Sequence, residues 1–302
     1  MVAVIGAGPA GIAASICLAM KGFDVTLIEA KDRIGGVLCY GIPDFRLPKA
    51  LVDRYAILLH DIGVRFKPNT FIGSTVRIDD MFIDGYKAVF IAVGTAKPLK
   101  LGLLGETLGN VHYAIDYLRS PDSYFLGHNV VVIGAGNVAL DAARMAVRKE
   151  PLANVTLINN RAECDMTGNI HDINMARVDG VHFLHQLSTV RLKSDSVVCV
   201  PVDMIVDENG NRSYEENMAE HTEIPADTII VAIGQGPQGT ALSGTEVDRT
   251  ARGLVDADDC GHTKIPGIYA AGDIVTGPRT VVEAVAFAKK VADEIERYCL
   301  HK

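Results

Sequence analysis

Three glycines at GxGxxG spacing, Gly6, Gly8 and Gly11, follow the β-branched run "VAVI" and open a stretch of small residues. Such glycines serve phosphate chemistry. The first permits a tight turn, the second lets a pyrophosphate approach the backbone, and the third lets a helix pack on a strand, with the phosphates at the positive end of that helix. Glu29 ends the next β-branched run, 23 residues after Gly6, where a carboxylate grips the hydroxyls of an adenosine ribose. A second set repeats the pattern with Gly134, Gly136 and Ala139, and places Asn159 where Glu29 stood, followed by Asn160 and Arg161. A carboxylate there favours NAD and paired arginines favour NADP. This chain has neither, so the second dinucleotide is read only as NAD(P). Near the end, "TVVE" (280–283) is a capping box that starts a helix at about Val281, with Thr280 as N-cap. Its positive end suits the carbonyl and N1 side of a flavin, where negative charge collects on reduction. Asp273, on the turn just before, is placed to accept hydrogen bonds from a ribityl chain; the same residue also fits an acid that only stabilises its turn.

These residues need elements to hold them. The segments "VAVIGAGPAGIAASICLAMKGFDVTLIEA" (2–30) and "VVVIGAGNVALDAARMAVRKEPLANVTLINN" (130–160) each read as strand, glycine turn, helix and strand. Two further buried-type strands, "AVFIAVGT" (88–95) and "TIIVAIGQ" (228–235), stop at a glycine where one half of the chain gives way to the next. The glycine- and proline-rich stretches after them have the character of crossovers between domains. The expected organisation is a first domain over 1–100 and 239–302, interrupted by a second over 101–238. Residues 51–66 have helical periodicity before a strand, and 189–220 alternate like a β meander turning at "DENGN" (207–211).

At 302 residues, 48% of them hydrophobic, the chain can fill two cores. Its net charge of −8, with no block of like charges, excludes the basic stripe that nucleic-acid binding needs. The uncharged stretch 1–20 has no basic flank and is broken by glycines and a proline, so it reads as the glycine turn and not as a signal or membrane span. Six cysteines stand singly, without CxxC or metal-type Cys/His spacing, as in a reducing cytoplasm. No resident metal and no nucleophilic catalytic residue are expected. In "GGVLCYGIPDFRLP" (35–48), Cys39 has no second sulfur nearby, and Arg46 is the residue able to neutralise pyrophosphate or flavin charge.

Together, "GGVLCYGIPDFRLPK", "GNVALDAAR" (136–144) and "AAGDIVTGPRTVVEA" (270–284) resemble the small (beta) subunit of glutamate synthase, within the two-dinucleotide flavoproteins. The flavin- and NADPH-binding region of dihydropyrimidine dehydrogenase and the subunits of NADH-dependent ferredoxin:NADP oxidoreductases are similar. The likeness runs over nearly the whole chain. It implies an α/β fold of two Rossmann-like dinucleotide-binding domains (three-layer ββα/αβα), the second inserted in the first. For FAD it implies Gly6, Gly8, Pro9, Ala10, Gly11, Glu29, Ala30, Gly36, Val37, Arg46, Gly94, Gly272, Asp273 and Thr280. For NAD(P) it implies Gly134, Ala135, Gly136, Asn137, Val138, Asn160, Arg161, Ala232, Ile233 and Gly234. Relatives usually carry "YRR" where this chain has "NNR", and usually begin with a cysteine-rich iron–sulfur domain; here Met1 abuts the first strand.

The expectation is an FAD-dependent NAD(P)H oxidoreductase subunit of a multi-subunit complex, cytoplasmic and not membrane-bound. It would pass electrons between the nicotinamide dinucleotide and an iron–sulfur partner, since it lacks the cysteine pair that a disulfide reductase needs beside its flavin. A self-contained ferredoxin–NAD(P) reductase with a diffusing partner, and a non-enzymatic flavin-bearing relay whose nicotinamide site has decayed, remain as alternatives.

Overall fold

The structure is a computed structural model that describes residues 1–73 and 76–301. The chain forms two compact units, the first from Met1–Tyr40, Asp44–Lys97 and Gln235–Lys302, the second from Gly41–Pro43 and Pro98–Gly234.

The first unit begins with β1 (Val2–Ile5), α1 (Pro9–Met20) and β2 (Val25–Ile28). It continues through α2 (Val37–Tyr40), α3 (Lys49–Asp61), β3 (Arg65–Lys67), α4 (Ile78–Ile83) and β4 (Ala88–Ile91). β1 and β4 are buried along their whole length. Both faces of a parallel strand are covered, which is why these runs are continuously apolar and not alternating. Period two divides their side chains: Val2, Val4, Leu27 and Phe90 pack on the face that α1 covers. Ala3, Ile5, Val89 and Ile91 face α4 and the segment around Leu242, Val247 and Val255. That second layer is largely coil, with a short 3-10 turn at Gly239–Leu242 and an isolated bridge between Arg249 and Val255.

A two-residue strand β5 (Lys97–Pro98) leads out, and the second unit follows as β6 (Val111–Tyr113), α5 (Ala114–Arg119), β7 (Asn129–Ile133), α6 (Asn137–Lys149) and β8 (Asn154–Ile158). Then come α7 (Ile170–Val178), β9 (His182–Leu184), β10 (Leu187–Leu192), β11 (Ser196–Val206), β12 (Arg212–Glu216), β13 (Thr222–Pro225) and β14 (Thr228–Val231). The parallel sheet buries Val130, Val132, Leu157 and Ile230 against α5, α6 and α7. Its other face carries Val131, Ile133, Ile158 and Ile229 against Leu192, Val197 and Cys199 of the antiparallel strands, so this unit has three layers. Those strands are not a simple meander. β11 is eleven residues long, pairs with β12 along its second half, and along its first half holds β10 on one edge and β13 on the other.

The chain returns through β15 (Gln235–Gly236), hydrogen-bonded to β5, and completes the first unit with β16 (Ile268–Ala270), the one-turn α8 (Asp273–Thr276) and α9 (Val281–Leu300). The two parallel sheets have the same plan. The first has the order β16-β4-β1-β2-β3 and the second β6-β14-β7-β8-β9, all pairings parallel. In each, the strand before the glycine turn lies between the second and the last strand of the βαβ series, at the point where strand order reverses and ligands settle in such sheets. Among the described residues no helix is long and apolar enough to cross a membrane.

Candidate dinucleotide sites

In the first unit each glycine of the turn has its own reason to lack a side chain. Gly6 has φ +101°, and a Cβ there would lie 2.5 Å from the carbonyl oxygen of Ala92. Gly11 faces the Gly6 carbonyl oxygen, which a Cβ would reach at 1.8 Å; α1 sits on β1 only because that atom is missing. Gly8 caps α1 with its backbone extended, and a Cβ there would meet nothing nearer than the Gly36 Cα at 4.0 Å. That open space lies beside the first N–H groups of a helix whose first turn holds no acid, which is what a pyrophosphate requires. Pro9 opens the helix, where its missing N–H costs nothing.

Three more segments converge on this turn. The Gly35 N–H donates to the Ala7 carbonyl at 2.7 Å, bringing Gly36 against Gly8. Gly272, at φ +77°, abuts Ala10 closely enough that a Cβ would lie 3.0 Å from the Ala10 Cβ. Glu29 accepts the Ala7 N–H at 2.7 Å with one oxygen and the Lys31 N–H at 3.0 Å with the other. It therefore locks the glycine turn as well as marking the strand end, and each oxygen keeps lone-pair capacity for a ribose hydroxyl. Ala30 is exposed beside it, Gly94 has a left-handed φ of +63° beyond β4 with nothing within 4 Å of a Cβ position, and Arg46 is exposed on the loop between α2 and α3.

At the end of β16, Asp273 begins α8 and accepts the Arg279 N–H at 3.3 Å. Burial pushes its carboxyl up, the Arg279 N–H pulls the other way, and Glu283 adds repulsion. Thr280 caps α9, its hydroxyl accepting the Glu283 N–H at 3.3 Å while Glu283 receives the Thr280 N–H at 3.0 Å. This reciprocal cap fixes the first turn of α9, whose Ala284 Cβ lies 3.9 Å from a Cβ position at Gly272.

The second unit repeats two of these contacts. Gly134 packs under the Ala232 carbonyl oxygen, 2.3 Å from a Cβ position, as Gly6 packs under Ala92. Gly136 caps α6, and the Gly168 N–H donates to the Ala135 carbonyl at 2.9 Å as Gly35 does to Ala7. Asn137 is exposed, its side-chain oxygen accepting the Asn169 N–H at 2.8 Å, and Val138 is half-buried behind it. Ala232, Ile233 and Gly234 form the turn after β14, Ala232 buried and Ile233 and Gly234 exposed.

At the end of β8 the two units part. Asn159 is buried, donates to His185 Nδ1 at 2.9 Å and accepts the Arg161 N–H at 3.0 Å. It copies the Glu29 contact to the residue two on, and is turned inward. Asn160 and Arg161 are left exposed. Around them Glu163 is paired with Arg177, and Asp165 with both Arg212 and the Tyr214 hydroxyl. These partners, the Tyr214 bond to Asp165 first, hold the Asp165 carboxyl below the usual carboxylate range, and Arg177 does the same for Glu163. His185, Gly35, Gly168, Arg177 and Arg212 were not among the expected residues. Only the repeat itself, Gly168 standing where Gly35 stands, offered a sequence signal for any of them.

None of the six cysteines is in a disulfide, and Cys39 is half-buried on α2. Two equivalent parallel-sheet units, each with a glycine-capped helix at its reversal point, define a two-dinucleotide oxidoreductase. The chain belongs to the pyridine nucleotide-disulphide oxidoreductase family, whose model matches residues 1–288. It is an FAD- and NAD(P)H-dependent oxidoreductase of that family, of the kind represented by the glutamate synthase small chain. Among curated proteins it is 34% identical over 310 residues to the NADP(+)-dependent formate dehydrogenase subunit beta of Moorella thermoacetica, covering 98% of this chain and 43% of that one. It is 33% identical over 320 residues to the glutamate synthase [NADPH] small chain of Escherichia coli (strain K12), covering 97% and 67%. The chain thus spans less than half of the first relative and about two thirds of the second. In fold it is similar to Mycobacterium tuberculosis FprA in complex with NADPH, with a TM-score of 0.83, 19% identity and coverage of 99% and 84%. It is also similar to T. acidophilum thioredoxin reductase, with a TM-score of 0.74, 21% identity and coverage of 99% and 98%.

Proposed function

We propose that this chain is the NADPH-oxidising flavoprotein module of a multi-subunit oxidoreductase, handing electrons to an iron–sulfur partner. The observation that carries the reading is the pair of equivalent glycine cradles in a chain without a cysteine pair. Bound FAD would supply a hydride acceptor for the reduced nicotinamide and a store from which electrons can leave singly. The residues proposed to hold it are the Gly6–Gly11 turn, Glu29, Ala30, Gly36, Val37, Arg46, Gly94, Gly272, Asp273 and Thr280. In that role the α1 N-terminus neutralises pyrophosphate, Glu29 binds the adenosine ribose, and the α9 N-terminus stabilises charge at the flavin N1 side.

The second dinucleotide is assigned to Gly134–Val138, Asn160, Arg161 and Ala232–Gly234. NADPH is preferred here to NADH on three grounds. The strand-end Asn159 offers no carboxylate to repel a 2′-phosphate, Arg161 is exposed beside it, and the nearby acids Glu163 and Asp165 are already engaged by arginines. The two curated relatives described above carry NADP(+) or NADPH in their names and are named as a subunit and a small chain, in keeping with a partner that receives the electrons.

Anaerobic titration of the yellow, purified protein with NADPH and separately with NADH, followed by flavin absorbance, tests this. Bleaching by NADPH at lower concentration than NADH is expected. Bleaching by neither would leave a non-enzymatic flavin relay.

A further inference from the structure

The turn "DDCGH" (258–262), which precedes β16, sets three different donor types on alternate residues. Asp258 Oδ1 accepts the N–H groups of Cys260 at 2.8 Å and His262 at 2.9 Å. The Gly261 N–H donates to the Asp258 carbonyl at 2.9 Å, and the Asp258 N–H to the His262 carbonyl at 3.1 Å, closing the turn from both sides. Gly261 is buried at φ +78°, where a Cβ would lie 2.4 Å from Val291 and 2.7 Å from the Ala270 carbonyl oxygen, so the turn is pressed onto α9 and β16. Held in this way, a carboxylate oxygen of Asp258, the Cys260 sulfur and a ring nitrogen of His262 lie within 4.8 Å of one another.

His262 is oriented from both ends. Its Nδ1 lies 3.0 Å from Asp258 Oδ2, and its Nε2 lies 3.8 Å from Glu294 Oε2. The Glu294 side chain is 12% exposed and is itself fixed by Arg297 at 2.7 Å. Without an ion Nδ1 carries the proton it donates to Asp258; an ion bound at Nδ1 takes that lone pair as the proton shifts to Nε2, the nitrogen that faces the Glu294 carboxylate. The ring also rests against Tyr269, with centroids 5.3 Å apart.

We propose that Asp258, Cys260 and His262 form a three-ligand site for a zinc-class divalent ion, with Glu294 as the positioning carboxylate. Sulfur, nitrogen and oxygen together suit Zn²⁺ or Co²⁺; magnesium and calcium ask for oxygen alone. Water fills the fourth tetrahedral position. On binding, the Cys260 S–H bond is replaced by a sulfur–metal bond and one proton leaves to solvent, with no change of oxidation state. The cysteine-pair and Cys/His spacings sought in the sequence miss this set because it mixes three ligand classes within five residues.

The test uses the full, flavin-bearing chain, freed of metal by chelator and titrated with Co²⁺ under anaerobic conditions. A thiolate-to-cobalt charge-transfer band saturating at about one equivalent, with one proton released per ion and displacement by Zn²⁺, is the expected result. Cys260→Ser removes the band, Glu294→Gln weakens binding about tenfold, and Cys164→Ser at an exposed thiol leaves it intact. Unchanged flavin absorbance and unfolding midpoint in metal-free Cys260→Ser confirm that the variant folds. No band at one equivalent, or a band retained in Cys260→Ser, overturns the proposal. The readout is the metal itself and is independent of hydride transfer.

Discussion

Gly8 and Gly11 stand three residues apart and lack side chains for opposite reasons. A methyl group at Gly11 runs into the Gly6 carbonyl, whereas one at Gly8 enters open space. Gly11→Ala is therefore expected to destabilise the ligand-free fold by about 1–3 kcal/mol, the usual cost of overpacking. Gly8→Ala should cost about 1 kcal/mol or less as a poorer cap, yet lose FAD on gel filtration. Chemical unfolding of the ligand-free variants, beside their flavin content, separates the two. His185 supplies the pH dependence. Burial holds its imidazole below the ordinary 6.5, helped by Arg177 and opposed by Glu163. Between the folded value and 6.5 the unfolded chain binds more protons, so stability rises with pH across that window and is lost as pH falls through it. Protonation also removes the Nδ1 lone pair that receives Asn159. Affinity for the nicotinamide dinucleotide should fall on acidification towards pH 5, and His185→Gln should flatten the profile of both the melting temperature and KM. The three glycine positions and Glu29 were legible because local geometry dictates them. The second duty of Glu29, bracing Ala7, was not, and neither was His185, whose partner lies 26 residues away.

The cap of α9 can be dissected in the same spirit. Thr280→Ala removes the acceptor for the Glu283 N–H and should cost about 1 kcal/mol, read from thermal unfolding, with weaker flavin retention alongside. α6 and α7 are tied by a buried ion pair. Arg144 and Asp179 meet at 2.8 Å with side chains 5% and 12% exposed, Arg148 shares the same carboxylate, and Asp172 stands off at 3.9 Å. Asp179→Asn removes the carboxylate charge that the buried Arg144 guanidinium meets at 2.8 Å and should destabilise the second unit by about 3 kcal/mol in urea unfolding. TVVE was a readable helix start because a capping box is a local bargain between Thr280 and Glu283. The one-turn helix at Asp273 had no such signal, being only four residues long. The alternation over 189–220 showed strands but not their partners: β13 finds the free edge of β11, and pairing is decided by which edge is open, a property of the assembled sheet.

The shared sheet plan was foreshadowed by two glycine turns and two glycine-ended strands, since each copy buries both faces of its central strands and so must spell them in apolar letters. The layer on the far face was foreshadowed only by the resemblance, which implied a three-layer ββα/αβα arrangement. The first unit covers it with coil and α4, the second with antiparallel strands, and apolar letters alone do not distinguish the two. β5 and β15, the outgoing and returning segments, are hydrogen-bonded neighbours, and the Leu99 N–H donates to the Gly234 carbonyl at 3.0 Å. The whole stretch 99–234 therefore begins and ends at one spot, as a cassette does. Replacing it by a two- or three-residue turn asks the remaining chain to span no gap and to close only a short loop, for which the entropic cost is small. Such a shortened protein is expected to stay folded and yellow yet give no bleaching with NADPH, a result readable in a cuvette.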